Sequence, residues 1–458
     1  MILEPEAPTA TLAPIAKATP GRSLGLTAAT ALVVGEVIGV GIFLTPAGMA
    51  KSLGSPLLVL AVWLAMGGTA LCGALCYGEL AARFPHAGGM YVYLREAFGP
   101  RWGFLYGWQC MLVLDPGLTA ALAAGLASYV AAPGLPAKAV AIGTILGAAG
   151  ANAFGVRIAA GFARVLAFAK IGLLAFIVVW GFAAGLGDAS RFLPLWSQRP
   201  GSAPLLQGLA GAVLGAFFSF GGWWDLGKVA GEVKDPQRNV PRAFVWGVAL
   251  TTLVYVATSA VFFYLVPLAR VASGETFAAQ AGEALFGRSG ALVFSGIVVL
   301  CVASSLLAYM TFAPRVYYAM ARDGVGLAGA EVLHPRTGAP LRAIAVQATL
   351  ASLLVAIGRF DQITAYFVFV MVLFLAASVA GLFRLRRRAA APAAFSTPGF
   401  PATAFAFLAM TVVVLLLLGI GRPLQAGLGV AVTALGIPVY HWFFARSRSA
   451  EPPRPAGG

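Results

Sequence analysis

The sequence predicts an all-α integral membrane protein with twelve transmembrane helices. We expect a five-plus-five inverted repeat with discontinuous helices 1 and 6, followed by two extra helices. Three observations predict this class. The chain is 60% hydrophobic and 10% charged, with a mean hydropathy of +0.88; twelve apolar segments are long enough to cross a bilayer; and glycines interrupt two of those segments. A water-soluble domain carries roughly 25% charged residues, so the composition excludes one.

A membrane-spanning helix needs about 20 mainly apolar residues. The predicted spans cover about 27–50, 57–80, 103–131, 138–155, 160–184, 205–230, 242–267, 290–320, 341–358, 362–385, 402–420 and 426–445. The expected organisation is a disordered cytoplasmic tail over 1–24, a single domain over 25–446 with repeats 25–185 and 203–388 and extra helices within 402–445, and a second disordered tail over 447–458.

The net charge of +15 is explained by membrane topology. Counting alternate sides of the predicted spans, 22 of the 31 Lys and Arg residues lie on one face and 8 on the other, with Lys170 inside a span. The positive-inside rule makes the richer face cytoplasmic and places both termini inside the cell. We therefore expect a multi-pass protein of the inner (plasma) membrane with a lipid partner, and no nucleic-acid partner.

The two interrupted segments read GEVIGVGIFLTP over 35–46 and FFSFGGWWDLG over 217–227. Unpaired backbone groups are costly in lipid, so an interruption persists only where it lines a cavity. The segments are the first and sixth predicted spans. Because five spans is an odd number, the two halves enter the membrane from opposite sides. This arrangement is typical of a transporter whose substrate binds between two broken helices.

The first interruption predicts a site for a carboxylate. Gly39, Val40 and Gly41 break the helix, and Ile42 begins its second half. Free amide N–H groups at a helix N-terminus, aided by the helix dipole, attract an anion.

The second interruption predicts a site for an ammonium group. Carbonyl oxygens from Ser219 to Gly222, a stretch that includes Phe220 and Gly221, should remain unpaired. The aromatic residues Phe218, Phe220, Trp223 and Trp224 are candidates to shape or close a side-chain pocket. Together the two interruptions describe a receptor for the backbone of an α-amino acid.

Charge inside a membrane span is expensive and marks a functional candidate, and three such residues stand out. Lys170 lies within the fifth span and Glu36 lies three residues before Gly39. Glu36 could carry a coupled proton, pair with Lys170, or contact a substrate amine. Asp115 precedes a proline in the third span, and the sequence assigns it no role.

Neither metal nor cofactor is expected. The four cysteines have no metal-ligand spacing, and the three histidines fall at predicted helix ends. An intramembrane enzyme would need a catalytic His, Ser or Asp arrangement inside the spans. A channel would need rings of carbonyls or charges. The pair of interrupted spans favours a carrier over both classes.

The chain resembles the amino acid–polyamine–organocation superfamily, and within it the L-type amino acid transporter branch, which includes bacterial members. Four strings carry the resemblance: IGVGIFLTP at 38–46, YGELAARFPHAGGMYVYLREAFG at 77–99, AGEVKDPQRNVPRA at 230–243 and PRVYYAMARDG at 314–324. The resemblance implies the five-plus-five fold and transport of amino acids by alternating access.

Residue roles follow from the resemblance. Glycines matching Gly39, Gly41, Gly221 and Gly222 lie at the unwound regions, and the aromatic residue matching Phe218 closes over the substrate. A lysine matching Lys170 fills the place of a sodium ion, which implies sodium-independent transport.

The leading hypothesis is exchange of neutral L-amino acids across the plasma membrane. The alternative is proton-coupled uptake, with cationic amino acids or polyamines as further substrates. Animal relatives join a glycoprotein through a cysteine between spans three and four. The corresponding loop over 131–138 has no cysteine, so no disulfide-linked heavy chain is expected.

Overall fold

The computed structural model describes residues 21–445, except positions 40, 131–134, 194–195, 197, 269, 271–276, 358–359, 390–391 and 422. Within these ranges the chain forms helices and no strand, apart from one isolated parallel bridge between Leu24 and Val233. Nine helical stretches in the described part are long and apolar enough to cross a membrane, and Leu26–Val37 and Leu341–Ile357 are shorter apolar helices. The all-helical membrane class is therefore confirmed.

The first half of the chain forms eight α-helices: α1 Leu26–Val37, α2 Gly41–Leu53, α3 Pro56–Arg83, α4 Met90–Phe98, α5 Pro100–Gln109, α6 Asp115–Val130, α7 Ala137–Ala153 and α8 Val156–Ala183. A π-helix over Cys110–Leu114 joins α5 to α6. Pro116 lacks an N–H group and follows this widened turn directly, which is consistent with a local loss of α-helical hydrogen bonding.

The second half forms α9 Leu205–Ser219, α10 Pro236–Leu265, α11 Phe277–Phe286, α12 Gly290–Phe312, α13 Pro314–Arg322, α14 Leu341–Ile357, α15 Phe360–Arg388, α16 Ala402–Gly421 and α17 Pro423–Val439. A 3₁₀ helix over Trp223–Glu232 continues the path of α9 beyond a turn, and a π-helix over Tyr440–Ala445 extends α17.

Helices occupy all twelve predicted segments, but the number that cross the bilayer and the repeat topology stay predictions. The predicted tails over 1–24 and 447–458 fall almost entirely outside the described residues. Ordered contacts nevertheless begin before residue 25. The backbone N–H groups of Ser23 and Leu24 donate to Glu232 O at 2.9 and 3.0 Å, and Lys234 N donates to Leu24 O at 2.8 Å.

The helix packing places the two interruptions side by side. α1 packs against α8, α10 and α12, while α2 packs against α9. The side chains at the centre include buried charges, whereas large apolar side chains such as Val165, Phe168 and Ile420 are exposed on the outside. Apolar groups outside and polar groups inside are what a lipid solvent requires.

Candidate functional site

The first interruption separates α1 from α2 and is held by a buried lysine. Lys170 on α8 is fully buried. Its Nζ donates to Gly35 O at 2.8 Å, Ile38 O at 2.5 Å and Cys301 O at 3.1 Å. The Ser305 hydroxyl on α12 donates to Gly35 O at 2.9 Å. An ammonium has three donors, so Lys170 satisfies carbonyl groups that the end of α1 leaves without helical partners.

The second interruption lies between α9 and the 3₁₀ helix. Gly222 has a φ of 107°, a left-handed conformation that a residue with a Cβ rarely adopts. The carbonyl oxygens here differ from the sequence expectation. Ser219 O accepts a hydrogen bond from the Tyr255 hydroxyl at 2.7 Å, and Gly222 O accepts one from Asp225 N at 2.9 Å. At least two of the four carbonyls predicted to be unpaired are thus engaged, because α10 and the 3₁₀ turn supply donors.

Tyr255 on α10 joins the two interruptions. Its hydroxyl oxygen lies 2.7 Å from Ser219 O and 2.7 Å from Val37 O, the last residue of α1. The start of α2 also meets the end of α9, since a Cβ added to Gly41 would lie 2.7–2.9 Å from Ser219 atoms. Thr45 Oγ1 and Ser219 Oγ are 2.9 Å apart. The absence of a side chain at Gly41 permits this close approach.

A cavity of about 100 Å³ lies between the interruptions, enough for several water molecules. Eight of the predicted pocket residues line it, namely Glu36, Gly39, Gly41, Phe218, Ser219, Gly221, Gly222 and Trp224. The other lining residues are mostly apolar: Val37, Leu114, Leu118, Leu122, Phe217, Asp225, Tyr309, Val368, Met371 and Val372. The cavity is therefore an apolar pocket with a polar end formed at the two interruptions.

The remaining predicted contact residues do not line this cavity. Ile42 is fully buried in the helix core. The Phe220 ring packs against Trp63 with centroids 6.0 Å apart, and the Trp223 ring packs against Tyr77 at 5.2 Å. In this structure the side chains of Ile42, Phe220 and Trp223 are therefore packed among the helices next to the interruptions. Val40 lies outside the described residues.

Glu36 is the polar residue at the end of the cavity. It is 7% exposed, and neither of its carboxylate oxygens accepts a hydrogen bond from an N–H or hydroxyl donor of the described chain; the carboxyl group of Asp225 lies within hydrogen-bonding reach. Its carboxyl group lies directly against Gly222, where an added Cβ would be 2.8 Å from Glu36 Cδ. Pairing with Lys170, one of the sequence hypotheses, is wrong for this structure. Lys170 is held by backbone carbonyls, and no ion pair between described residues joins the two.

The structure shows a buried cluster of charged side chains beside Glu36 that the sequence did not predict. Lys228 Nζ lies 3.1 Å from Asp115 Oδ1 and 3.2 Å from Asp225 Oδ1, with all three side chains no more than 2% exposed. The Tyr309 hydroxyl donates to Asp115 Oδ1 at 2.6 Å. Asp225 and Lys228 both lie on the 3₁₀ helix, which turns their side chains inward. Their i, i+3 spacing could have shown that they pair.

Three of the strings that carry the family resemblance pack against one another. Arg95 pairs with Asp323, whose carboxylate also accepts the Tyr91 hydroxyl at 2.6 Å. Arg315 Nε donates to Glu232 Oε1 at 2.9 Å, and both side chains are buried. Ion pairs therefore join parts of the chain that are far apart in sequence.

Comparisons with known proteins find similar sequences over most of the chain. A family model described as amino acid permease matches residues 24–439. The serine/threonine exchanger SteT of Bacillus subtilis is 28% identical over 439 residues, covering 93% of this chain and 98% of the relative. The human cystine/glutamate transporter is 28% identical over 436 residues, covering 92% and 85%. The human large neutral amino acids transporter small subunit 2 is 29% identical over 434 residues, covering 92% and 80%.

Proposed function

The chain belongs to the amino acid permease family, and on that premise we propose that it exchanges neutral L-amino acids without sodium. The family is one of membrane transporters and not of enzymes. The observation that carries the proposal is the cavity between two interrupted helices, beside a lysine bound to the carbonyls of one interruption. The three relatives add that proteins similar to this one transport or exchange amino acids.

The substrate carboxylate is proposed to bind at the N-terminus of α2. Gly39 and Gly41 present backbone without side chains there, and the helix dipole favours an anion. Across the cavity, Phe218, Ser219 and Gly221 contribute the opposing wall. These contacts are main-chain in character, which suits a carrier that accepts several side chains.

Neutral side chains are proposed because most of the cavity wall is apolar. Leu114, Leu118 and Leu122 come from α6, and Val368, Met371 and Val372 come from α15. A charged side chain placed among these residues would lose its hydration without gaining a partner.

Sodium independence is proposed from Lys170. Its ammonium already contacts three backbone carbonyls, among them Gly35 O and Ile38 O at the first interruption. A fixed positive charge at this position would make a bound sodium ion redundant and would repel one.

The organisation proposed for the chain is the five-plus-five inverted repeat over 25–185 and 203–388, with extra helices within 402–445. Interruptions in the first and sixth predicted spans support it. The bias of Lys and Arg toward one face supports a plasma-membrane protein with both termini inside the cell.

Proton-coupled uptake, including uptake of cationic amino acids or polyamines, is a second candidate. Glu36 favours it, since this buried carboxyl group lines the cavity and accepts no hydrogen bond from an N–H or hydroxyl donor of the described chain. A carboxyl group in such a position can gain or lose a proton as substrate comes and goes.

Uptake of a labelled amino acid panel into proteoliposomes tests the proposal. Each compound is offered to vesicles with and without internal amino acid, with and without a sodium gradient, and with and without a pH gradient. We expect uptake of neutral amino acids only into preloaded vesicles, unchanged by sodium. Accumulation in empty vesicles driven by a proton gradient would support the second candidate instead, and stimulation by sodium would contradict the role given to Lys170.

A further inference from the structure

We propose that Glu36 and Asp225 form the subsite that receives the ammonium group of the substrate. This inference rests on the proposed function, because it specifies how the transported amino acid is oriented in the cavity. Both residues line the cavity, one from the end of α1 and the other from the 3₁₀ helix.

Glu36 supplies the first argument. A buried carboxylate is normally paired with a cation or with several N–H or O–H donors, because desolvation otherwise makes its charge very unfavourable. Glu36 is 93% buried, yet neither of its oxygens accepts a hydrogen bond from an N–H or hydroxyl donor of the described chain, and the Asp225 carboxyl group lies within hydrogen-bonding reach. Two adjacent carboxyl groups either share a proton or bind a cation, and an ammonium group in the cavity would supply that cation.

The balance of charge supplies the second argument. Glu36 interacts electrostatically with three charged side chains, those of Asp225, Lys228 and Asp115. Three carboxyl groups therefore share one lysine. Lys228 already has partners other than Glu36. Its Nζ contacts Asp115 and Asp225 and lies 5.2 Å from the centre of the Tyr309 ring. With all three carboxyl groups ionised, the cluster would have an excess of negative charge, which one further cation in the cavity would offset.

The neighbouring positive group does not provide that cation. Lys170 lies on another side of α1, where its Nζ is directed to the carbonyls of Gly35, Ile38 and Cys301. Its three N–H donors are thus occupied by backbone carbonyls of the first interruption and of α12. Tyr255 likewise points its hydroxyl at backbone carbonyls rather than at Glu36.

The engaged carbonyls supply the third argument. Ser219 O and Gly222 O already accept hydrogen bonds from within the protein. The second interruption therefore offers fewer free acceptors for an ammonium than its sequence suggests. Glu36, against Gly222, and Asp225 are carboxylate acceptors at the same end of the cavity. A charge-assisted hydrogen bond to a carboxylate is also stronger than one to a neutral carbonyl.

These contacts orient the substrate. Its ammonium group would lie between Glu36 and Asp225, and its carboxylate would face the start of α2 at Gly41. Its side chain would extend among the leucines of α6 and the apolar residues of α15. An ammonium group would then be essential for binding, and a carboxylate group would be secondary.

Equilibrium binding to the purified full-length protein tests this without any variant. Labelled L-leucine is displaced by 3-methylbutylamine, which lacks only the carboxyl group, or by 4-methylpentanoate, which lacks only the amine. We expect the amine to displace leucine at concentrations at least about 10-fold lower than the acid, in line with the strength of hydrogen bonds to charged groups. Equal potency of the two compounds, or greater potency of the acid, would overturn the subsite.

A matched pair of variants locates the effect. Glu36→Gln keeps the shape of the side chain and removes its charge, and we expect leucine affinity to fall about 10-fold or more. Glu283→Gln makes the same chemical change at an exposed residue of α11 and should leave affinity within 2-fold. Affinity within 2-fold of wild type in Glu36→Gln would overturn the proposal.

The outcomes separate this inference from the function on which it rests. Leucine exchange in proteoliposomes together with a failed analogue or Glu36→Gln test rejects the subsite alone. If no neutral amino acid binds or is exchanged and the amine does not bind either, both proposals are rejected. If the amine binds where leucine does not, the subsite is supported, and the function shifts to the uptake of amines.

Discussion

Replacing Lys170 by methionine removes the ammonium that holds the first interruption while keeping the length of the side chain. Three backbone carbonyls, those of Gly35, Ile38 and Cys301, would lose a donor at 2.5–3.1 Å. The Ser305 hydroxyl can still satisfy one of them. Cys301 O lies inside α12 and keeps its helical partner. One acceptor, Ile38 O, is therefore left unpaired, at a cost of about 1–3 kcal/mol.

Part of this cost is recovered, because an ammonium with no carboxylate partner no longer has to be desolvated. We therefore expect a net loss of stability of about 1–2 kcal/mol and a fall in exchange rate of at least about 10-fold. Thermal melting in detergent and exchange in proteoliposomes measure the two effects. Lys51→Met is the control, since Lys51 on α2 is exposed. Wild-type melting and wild-type exchange in Lys170→Met would refute the reasoning.

Three further substitutions test other contacts of the site. Tyr255→Phe removes the hydroxyl between the two interruptions and should cost about 1–3 kcal/mol of stability and slow exchange. Gly222→Ala should abolish exchange, because the new Cβ would need a left-handed backbone and would lie 2.8 Å from the Glu36 carboxyl carbon. Glu232→Ala leaves the buried Arg315 without its partner at 2.9 Å and should cost about 3–5 kcal/mol by thermal or denaturant unfolding.

Each of these has a matched control. Tyr264→Phe removes a hydroxyl from a half-buried tyrosine of the same helix, α10, and should melt like wild type. Gly185→Ala is also left-handed, at φ 64°, but its Cβ would meet no atom within 4 Å, so only backbone strain of about 1–3 kcal/mol is expected. Glu283→Ala breaks an exposed pair and should cost about 0–1 kcal/mol. Equal effects within any pair would contradict the corresponding contact.

The positions of both interruptions could be predicted from sequence, because glycine in an apolar segment has few structural explanations in lipid. Gly39, Gly41, Gly221 and Gly222 all line the cavity. Lys170 could also be singled out, since a charge inside an apolar span needs a partner. The carbonyls that it binds could be placed only by the fold, because they lie on α1 and α12.

The side chains around the interruptions were harder to predict for a geometric reason. The turn at Gly222 and the 3₁₀ helix after it change the number of residues per turn. An α-helical period therefore gives the wrong face for Trp223, which packs behind the site, and for Asp225, which enters it. Tyr255 was missed because its sequence context is that of an ordinary apolar span, and its partners are remote in the chain.

The partners of the buried lysines also bear on how the chain is made. A lysine at the centre of a helix raises the free energy of membrane insertion by about 2.5–3.5 kcal/mol. Because synthesis runs from the N-terminus, Gly35 and Ile38 precede Lys170, just as Asp115 and Asp225 precede Lys228. Each cation thus reaches the bilayer after at least two of its acceptors have been synthesised, so a compensating contact can form during biogenesis rather than after it.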